Sequence, residues 1–325
     1  LKRLLLLLAA LAVLTLAACA PAAEAPGELT TIRLPMGYIP DPQYAPFYVA
    51  ADKGYFAEEG LAIEFDYSFE TDGIALVGAG ELPLAVVSGE QVILARAEGL
   101  PVVYVLEWFH KYPIALVSKQ SAGITSPADL AGREVGVPGF FGASYVGLVG
   151  LLSANGLTLD DINASEIGFN QIESLLTDRS ESVVVYINNE PVQLEAQGQA
   201  IDLIRVSDYL DMVANGIISS EQAIAENPAL VQGFVRALMR GTADTLANPD
   251  EAYEISKKFV EGLDDSRRNV LQATLPLWES PTPGITDPDS WVQTQEVLLG
   301  MGFLDAPLDD LSAAYTNDFV SAAQP

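Results

Sequence analysis

Short apolar runs alternate with stretches of helical spacing over residues 31–206, and that alternation restricts the chain to a layered α/β fold. Residues 32–36, 61–67, 84–87, 102–107 and 114–118 read as strands. Helices are expected over 45–53, 72–79 and 89–98, stopping at Gly54, Gly80 and Gly99. A second set repeats the pattern, with strands over 134–137, 164–168, 182–187 and 202–206 and helices over 143–155, 171–177 and 191–197. Such alternation predicts largely parallel strands. After Ile217 the reading is helical throughout, over 219–226, 228–247, 249–262, 265–275, 290–299 and 308–322, with Asn227 and Asn248 as N-caps before Pro228 and Pro249. Two α/β halves and a helical tail predict two lobes, 31–115 with 216–325 and 116–215, the chain crossing between them near 112–118 and 209–218.

The first residues read as a targeting segment, not as fold. Lys2 and Arg3 precede an apolar run over 4–16 that is short of the roughly 20 residues of a membrane span. Leu16-Ala17-Ala18-Cys19 has the small residues of a cleavage site and resembles the bacterial lipobox, which implies a signal peptide over 1–18 and a lipid on Cys19. Cys19 is the only cysteine, so no disulfide forms within one molecule. Residues 19–30, small and rich in proline, are expected to be a tether between that lipid and the folded part.

Charge narrows the partners. Acidic side chains number 44 against 16 basic ones, a formal net charge of −28, which repels nucleic acid and anionic headgroups. Neither a metal site nor a cofactor is expected. His110 is the only histidine, without a ligating cluster or an adjacent nucleophile, and is assigned a solvated or hinge role.

Because ligands of open α/β sheets sit beyond the carboxyl ends of the strands, candidate contacts are sought in the loops there. The first loop carries Tyr38, Asp41, Gln43 and Tyr44. Ser88 and Glu90 stand at a helix start, where free backbone N–H groups can hold a ligand oxygen or the side chains can merely cap. Trp108 can stack on a flat ring or pack between lobes. Phe140, Phe141 and Tyr145 belong to a glycine-bracketed turn that opens a helix; their rings meet a ligand or fill the lobe. Tyr186, Asn188, Asn189 and Glu190 follow a strand and offer donors and acceptors for the edge of a heterocycle. Arginine is scarce in these loops, which disfavours a sulfonate or phosphate; flat faces with edge hydrogen bonds favour an aromatic heterocycle.

The order of several segments resembles one periplasmic-binding-protein family. They are residues 37–50, Lys53-Gly54-Tyr55-Phe56, Glu59-Gly60-Leu61, Val87-Ser88-Gly89-Glu90-Gln91, Asp129-Leu130-Ala131-Gly132-Arg133, Asn227-Pro228 and Asn248-Pro249. The family serves importers of thiamine-pyrimidine precursors, aliphatic sulfonates and related molecules. The resemblance implies a type II periplasmic-binding-protein fold, hinged around its ligand, with an ABC permease and its ATPase as partners. Where pyrimidine-precursor binders carry an Asp-Trp pair and a later histidine, this chain has Gly37-Tyr38 and Gln43-Tyr44, and the stretch is more similar to the riboflavin-binding branch. A eukaryotic relative synthesises the thiamine pyrimidine with a cysteine-rich motif and a histidine; this chain has no cysteine beyond Cys19, which argues for a receptor rather than an enzyme.

Overall fold

The computed structural model describes residues 28–323, so the leader segment and Cys19 lie outside the described residues. Strand β1 (Thr30–Pro35) pairs in parallel with β2 (Leu61–Asp66) and runs beside β3 (Leu84–Ser88). Helices α1 (Ala45–Asp52), α2 (Tyr55–Glu58), α3 (Glu70–Gly78) and α4 (Gly89–Ala97) connect these strands to β4 (Val102–Glu107). The chain then enters a five-stranded sheet through β5 (Ile114–Lys119) and adds β6 (Glu134–Val137), α5 (Gly142–Ala154), β7 (Asn163–Glu166), α6 (Gln171–Leu176), β8 (Ser182–Tyr186), α7 (Glu190–Ala196) and β9 (Ile201–Arg205). It returns through β10 (Asn215–Ser220), which lies between β3 and β4.

The strands are not largely parallel, and the two crossings are the reason. β10 is antiparallel to both β3 and β4, and β5 is antiparallel to both β8 and β9. Each crossing strand enters the opposite sheet from the side where that sheet's own strands end, so it runs against its neighbours. The second sheet has the order β7-β6-β8-β5-β9. The passages between sheets occupy 108–113 and 206–214.

Helices α8 (Glu221–Glu226), α9 (Pro228–Ala247), α10 (Pro249–Ser256), α11 (Arg268–Trp278), α12 (Pro288–Gly300) and α13 (Asp318–Ala323) complete the chain. Asn227 caps α9 as expected, its side chain accepting from the N–H of Leu230 at 3.2 Å. Asn248 holds the corresponding place before α10 without a side-chain cap bond. The expected helix over 308–322 breaks in two. Asp310 accepts from the N–H of Ser312 and Thr316 from that of Asp318, local bonds that compete with the helical ladder. Tyr315 then bridges to Tyr104 in extended form and stacks on the fully buried Trp291.

One large hydrophobic cluster runs through both halves, and a smaller one covers a face of the second sheet around Val117, Val183 and Leu194. The long helix α9 lies directly on α1. A Cβ at Gly241 would stand 2.2 Å from the carbonyl oxygen of Pro46, so only glycine permits that approach.

Candidate ligand-binding site

The loops at the carboxyl ends of β1, β2, β6, β7 and β8 converge on one cavity, together with the chain at the two crossings. Its walls bound about 720 Å³ of non-atom space, open solvent at the mouth included. Of the sequence candidates, Tyr38, Gln43, Tyr44, Trp108 and Phe141 line it, as do Tyr186, Asn189 and Glu190.

Aromatic rings form its walls. Trp108 stacks on Tyr44 with ring centres 5.4 Å apart and on Phe109 at 4.1 Å, so it lines the cavity and also packs at the crossing. Its indole N–H is buried without a partner. Phe69 meets Phe141 edge-on at 5.0 Å and Phe169 at 5.0 Å, and Tyr38 meets Phe169 edge-on at 4.8 Å.

Polar groups gather at the edges. Glu70, at the start of α3, is buried against Ser88, whose N–H and hydroxyl both approach one carboxylate oxygen; the other accepts from Asn215 at 2.7 Å and from the Tyr186 phenol at 3.3 Å. Gly37 leaves room for it, since a Cβ there would lie 2.8 Å from the Cγ of Glu70. On the far side, Tyr38 donates to Glu190 at 3.0 Å and the N–H of Tyr186 donates to the other oxygen of Glu190 at 3.2 Å. Burial pushes the Glu190 carboxyl up to about 7.

Six sequence candidates do not reach the cavity. Asp41 is fully buried behind it, paired with the Arg267 guanidinium and accepting from Gln43 N–H and from Asn189. The Asn188 amide nitrogen donates to Gln43 at 3.1 Å and to Thr274 at 2.9 Å, and its amide oxygen is buried without a partner, outside the cavity lining. Ser88 and Glu90 lie under Glu70 rather than beside a ligand. The Ser88 hydroxyl oxygen is 2.7 Å from Glu70 and 2.6 Å from Glu90, and one hydroxyl hydrogen cannot serve both. A proton on Glu90 resolves the geometry: Glu90 donates to Ser88, which donates to Glu70. Burial first, and then the Glu70 charge, push Glu90 up to about 8. Phe140 is 45% exposed and meets Tyr145 edge-on, while Tyr145 stacks on Phe303; both turn outward from the helix start.

Sequence reading passed over Glu70, Phe69, Phe169 and Asn215. The loop before α3 follows a strand like the other chosen loops, a signal that would have found Phe69 and Glu70. Asn215 begins a crossing strand, and only the tertiary structure brings it to Glu70. His110 donates its backbone N–H to Leu277 and places a ring nitrogen 2.8 Å from Glu107, away from the cavity lining. Among the described residues, no cluster of three or more His, Cys, Asp or Glu side chains is placed to hold a metal ion.

A family model described as NMT1/THI5 like matches residues 41–252. The chain belongs to the NMT1/THI5-like family. It is 42% identical to the riboflavin-binding protein RibY of Chloroflexus aurantiacus over 93% of this chain and 89% of that one. It is 29% identical to a formylaminopyrimidine-binding protein of Halalkalibacterium halodurans, covering 92% and 94%. Family members named as 4-amino-5-hydroxymethyl-2-methylpyrimidine phosphate synthases are more distant, 26% identical in the Legionella pneumophila case over 89% and 92%. Among solved structures, the alkanesulfonate-binding protein SsuA of Xanthomonas axonopodis pv. citri, bound to MOPS, superposes with a TM-score of 0.71 at 15% identity over 91% of this chain and all of that one. The NMT1/THI5-like chain therefore has the type II periplasmic-binding-protein fold, two lobes joined by a hinge.

Proposed function

We propose that the protein is the substrate-binding component of an ABC importer, working outside the cytoplasmic membrane, and that it captures a flat aromatic heterocycle, riboflavin. The observation that carries this reading is the cavity between the sheets, with rings on its walls, Glu70, Glu190 and Asn189 at its edges and no cation among its lining residues. Flat faces suit a ring system, and carboxylate and amide groups suit its N–H and carbonyl edge. A sulfonate, as in the SsuA complex, would find no arginine or lysine in that lining. The 42% identity to RibY supports riboflavin over the other cargoes of the family.

In this reading, residues 31–115 with 216–325 form one lobe and 116–215 the other, closing over the ligand about the two crossings. Residues 1–18 are a signal peptide, and a lipid on Cys19 holds the tether 19–30 to the membrane, where the permease and its ATPase receive the cargo. The protein releases its ligand unchanged and is not an enzyme; Cys19, in the leader region, is the only cysteine available for chemistry.

A second cargo, a thiamine-pyrimidine precursor, is favoured by the similarity to the formylaminopyrimidine-binding protein. Thermal unfolding with riboflavin, formylaminopyrimidine, thiamine and an alkyl sulfonate separates the readings, because a ligand raises Tm by mass action. Riboflavin is expected to give the largest rise and to quench tryptophan fluorescence. A larger rise with the pyrimidine would transfer the assignment to it, turnover of any ligand would end the receptor reading, and a Cys19→Ala protein still held in membranes would end the anchor reading.

A further inference from the structure

Carboxyls gather where the loops of the two sheets face each other. Asp41 and Glu70 stand on the side of β1 and β3, and Glu190, at the start of α7, on the side of β8. Each accepts a hydrogen bond from across the gap: Glu190 from the Tyr38 phenol at 3.0 Å, Asp41 from Asn189 at 3.2 Å and Glu70 from the Tyr186 phenol at 3.3 Å. Glu190 is only 3% exposed, and among the described residues it forms no ion pair.

The groups that face Glu190 do not supply a cation of its own. The loop after β1 brings Tyr38 and Asp41. The turn before α11 brings Arg267, whose terminal nitrogen is on Asp41 and whose Nε is buried without a partner. At the end of β8, the N–H of Tyr186 donates to the second oxygen of Glu190 at 3.2 Å. Helix α6 places Glu173 along the same outer groove. The other elements packed on α7 are β9, with Asp202 and Arg205, and α11, whose Arg268 pairs with Asp250 and Glu254 instead. Burial is the largest influence on the Glu190 carboxyl and raises it to about 7, with the Asp41 charge adding and the bonds from Tyr38 and Tyr186 opposing.

We propose that closing the two lobes takes a proton from solvent onto Glu190, so that ligand capture strengthens in acid and loosens as the medium turns alkaline. This rests on the reading that the protein closes over a ligand, and it holds for whichever heterocycle is bound. With the lobes apart, Tyr38, Asp41 and Arg267 withdraw and water reaches the carboxylate, which returns toward its ordinary 4.5. With the lobes together, the carboxyl sits among other acids and out of water, and the neutral form is favoured. The closed form then keeps a proton that the open form releases. Affinity is therefore highest below about pH 4.5, falls as pH rises toward about 7 and levels off above it.

Calorimetric titration with riboflavin, in buffers of different ionisation enthalpy, reads the proton directly, since riboflavin stays neutral over this range. Uptake of close to one proton per riboflavin is expected at about pH 6, and affinity should fall at least about tenfold from about pH 5.5 to about pH 8. Glu190→Gln keeps an acceptor for Tyr38 and cannot ionise, so it should bind without proton uptake and with an affinity flat across the range. Glu90→Gln, whose carboxyl lies within one lobe, should keep the slope of the parent. Binding by the parent without proton uptake, uptake that survives in Glu190→Gln, or a slope lost in Glu90→Gln would overturn the proposal. If riboflavin binds at no pH, the flavin reading falls and the switch is read without ligand. Small-angle X-ray scattering of the ligand-free protein should then give a smaller radius of gyration in acid than in alkali, and a single radius for Glu190→Gln. A parent radius indifferent to pH would overturn the switch as well.

Discussion

The phenol of Tyr38 reaches across the space between the two sheets to donate to Glu190 at 3.0 Å, joining residues 152 positions apart. Behind the cavity Asn189 joins Asp41 and Asn188 joins Gln43 over the same gap, so a seam of hydrogen bonds links the two sheets' loops. These bonds exist only when the lobes are together, and their strength bears on how readily the site closes.

Removing one of them should weaken ligand capture without touching the ring walls. Tyr38→Phe loses a hydrogen bond to a buried carboxyl, about 1–2 kcal/mol. Riboflavin affinity is expected to fall about tenfold, measured by fluorescence titration, with a faster off-rate by stopped flow. Unchanged dissociation would show that the bond does not hold the closed form.

Fluorescence should assign the ring contact. The chain has three tryptophans, of which Trp108 lines the cavity and Trp291 is buried against Tyr104 and Tyr315. Trp108→Phe is expected to remove most of the quenching caused by riboflavin, and Trp291→Phe to leave it in place. The reverse pattern would move the ligand out of this cavity.

The buried carboxyls give stability a defined pH dependence. Glu90, with its carboxyl at about 8, and Glu190, at about 7, both lie above their ordinary 4.5, so the folded chain keeps protons that the unfolded chain releases. Their contribution is intact below about pH 4.5 and is lost as pH rises through about 7 and 8. Glu90→Gln keeps a donor toward Ser88 and cannot ionise beside Glu70. Its Tm should fall less than that of the parent between pH 5 and 8, and parallel curves would place the proton elsewhere.

Packing of α9 on α1 allows no extra atom. Gly241→Ala sets a methyl group against the backbone oxygen of Pro46 and should destabilise by about 1–3 kcal/mol. Thermal unfolding would show a Tm several degrees lower, with riboflavin affinity kept where the remaining fold is intact.

The buried pair of Asp41 and Arg267 should show non-additivity. Asp41→Asn leaves the guanidinium without its carboxylate, and because Arg267 is a quarter exposed the loss is expected to be modest, about 1–3 kcal/mol. Adding Arg267→Gln should recover part of it in denaturant unfolding. A double variant as unstable as the sum of both singles would argue against the coupling.

Apolar runs bounded by glycine and proline located most strands, as at Leu84 to Ser88 and Val102 to Leu106, which are buried on both faces. They could not report direction, since β10 has the same apolar run whether it lies parallel or antiparallel to β3. The site was legible where a loop follows a strand, as at Tyr38 and Tyr186. It was illegible where a side chain's role depends on a partner from a distant segment. Asp41 has the composition of a ligand contact, yet Arg267, 226 residues later, covers it. Glu70 looked like the tail of a loop until Ser88, Tyr186 and Asn215 enclosed it.

The insertion of β10 between β3 and β4 has a consequence for biosynthesis. Strands β3 and β4 each take their ladder from β10 and not from one another, so both edges stay open until about a hundred further residues have been made. In between, the chain must build the second sheet, whose own slot is already filled by β5. A nascent chain halted before residue 215 would therefore carry one finished half and one half with two unpaired apolar edges, the kind of surface that aggregates or calls for a chaperone.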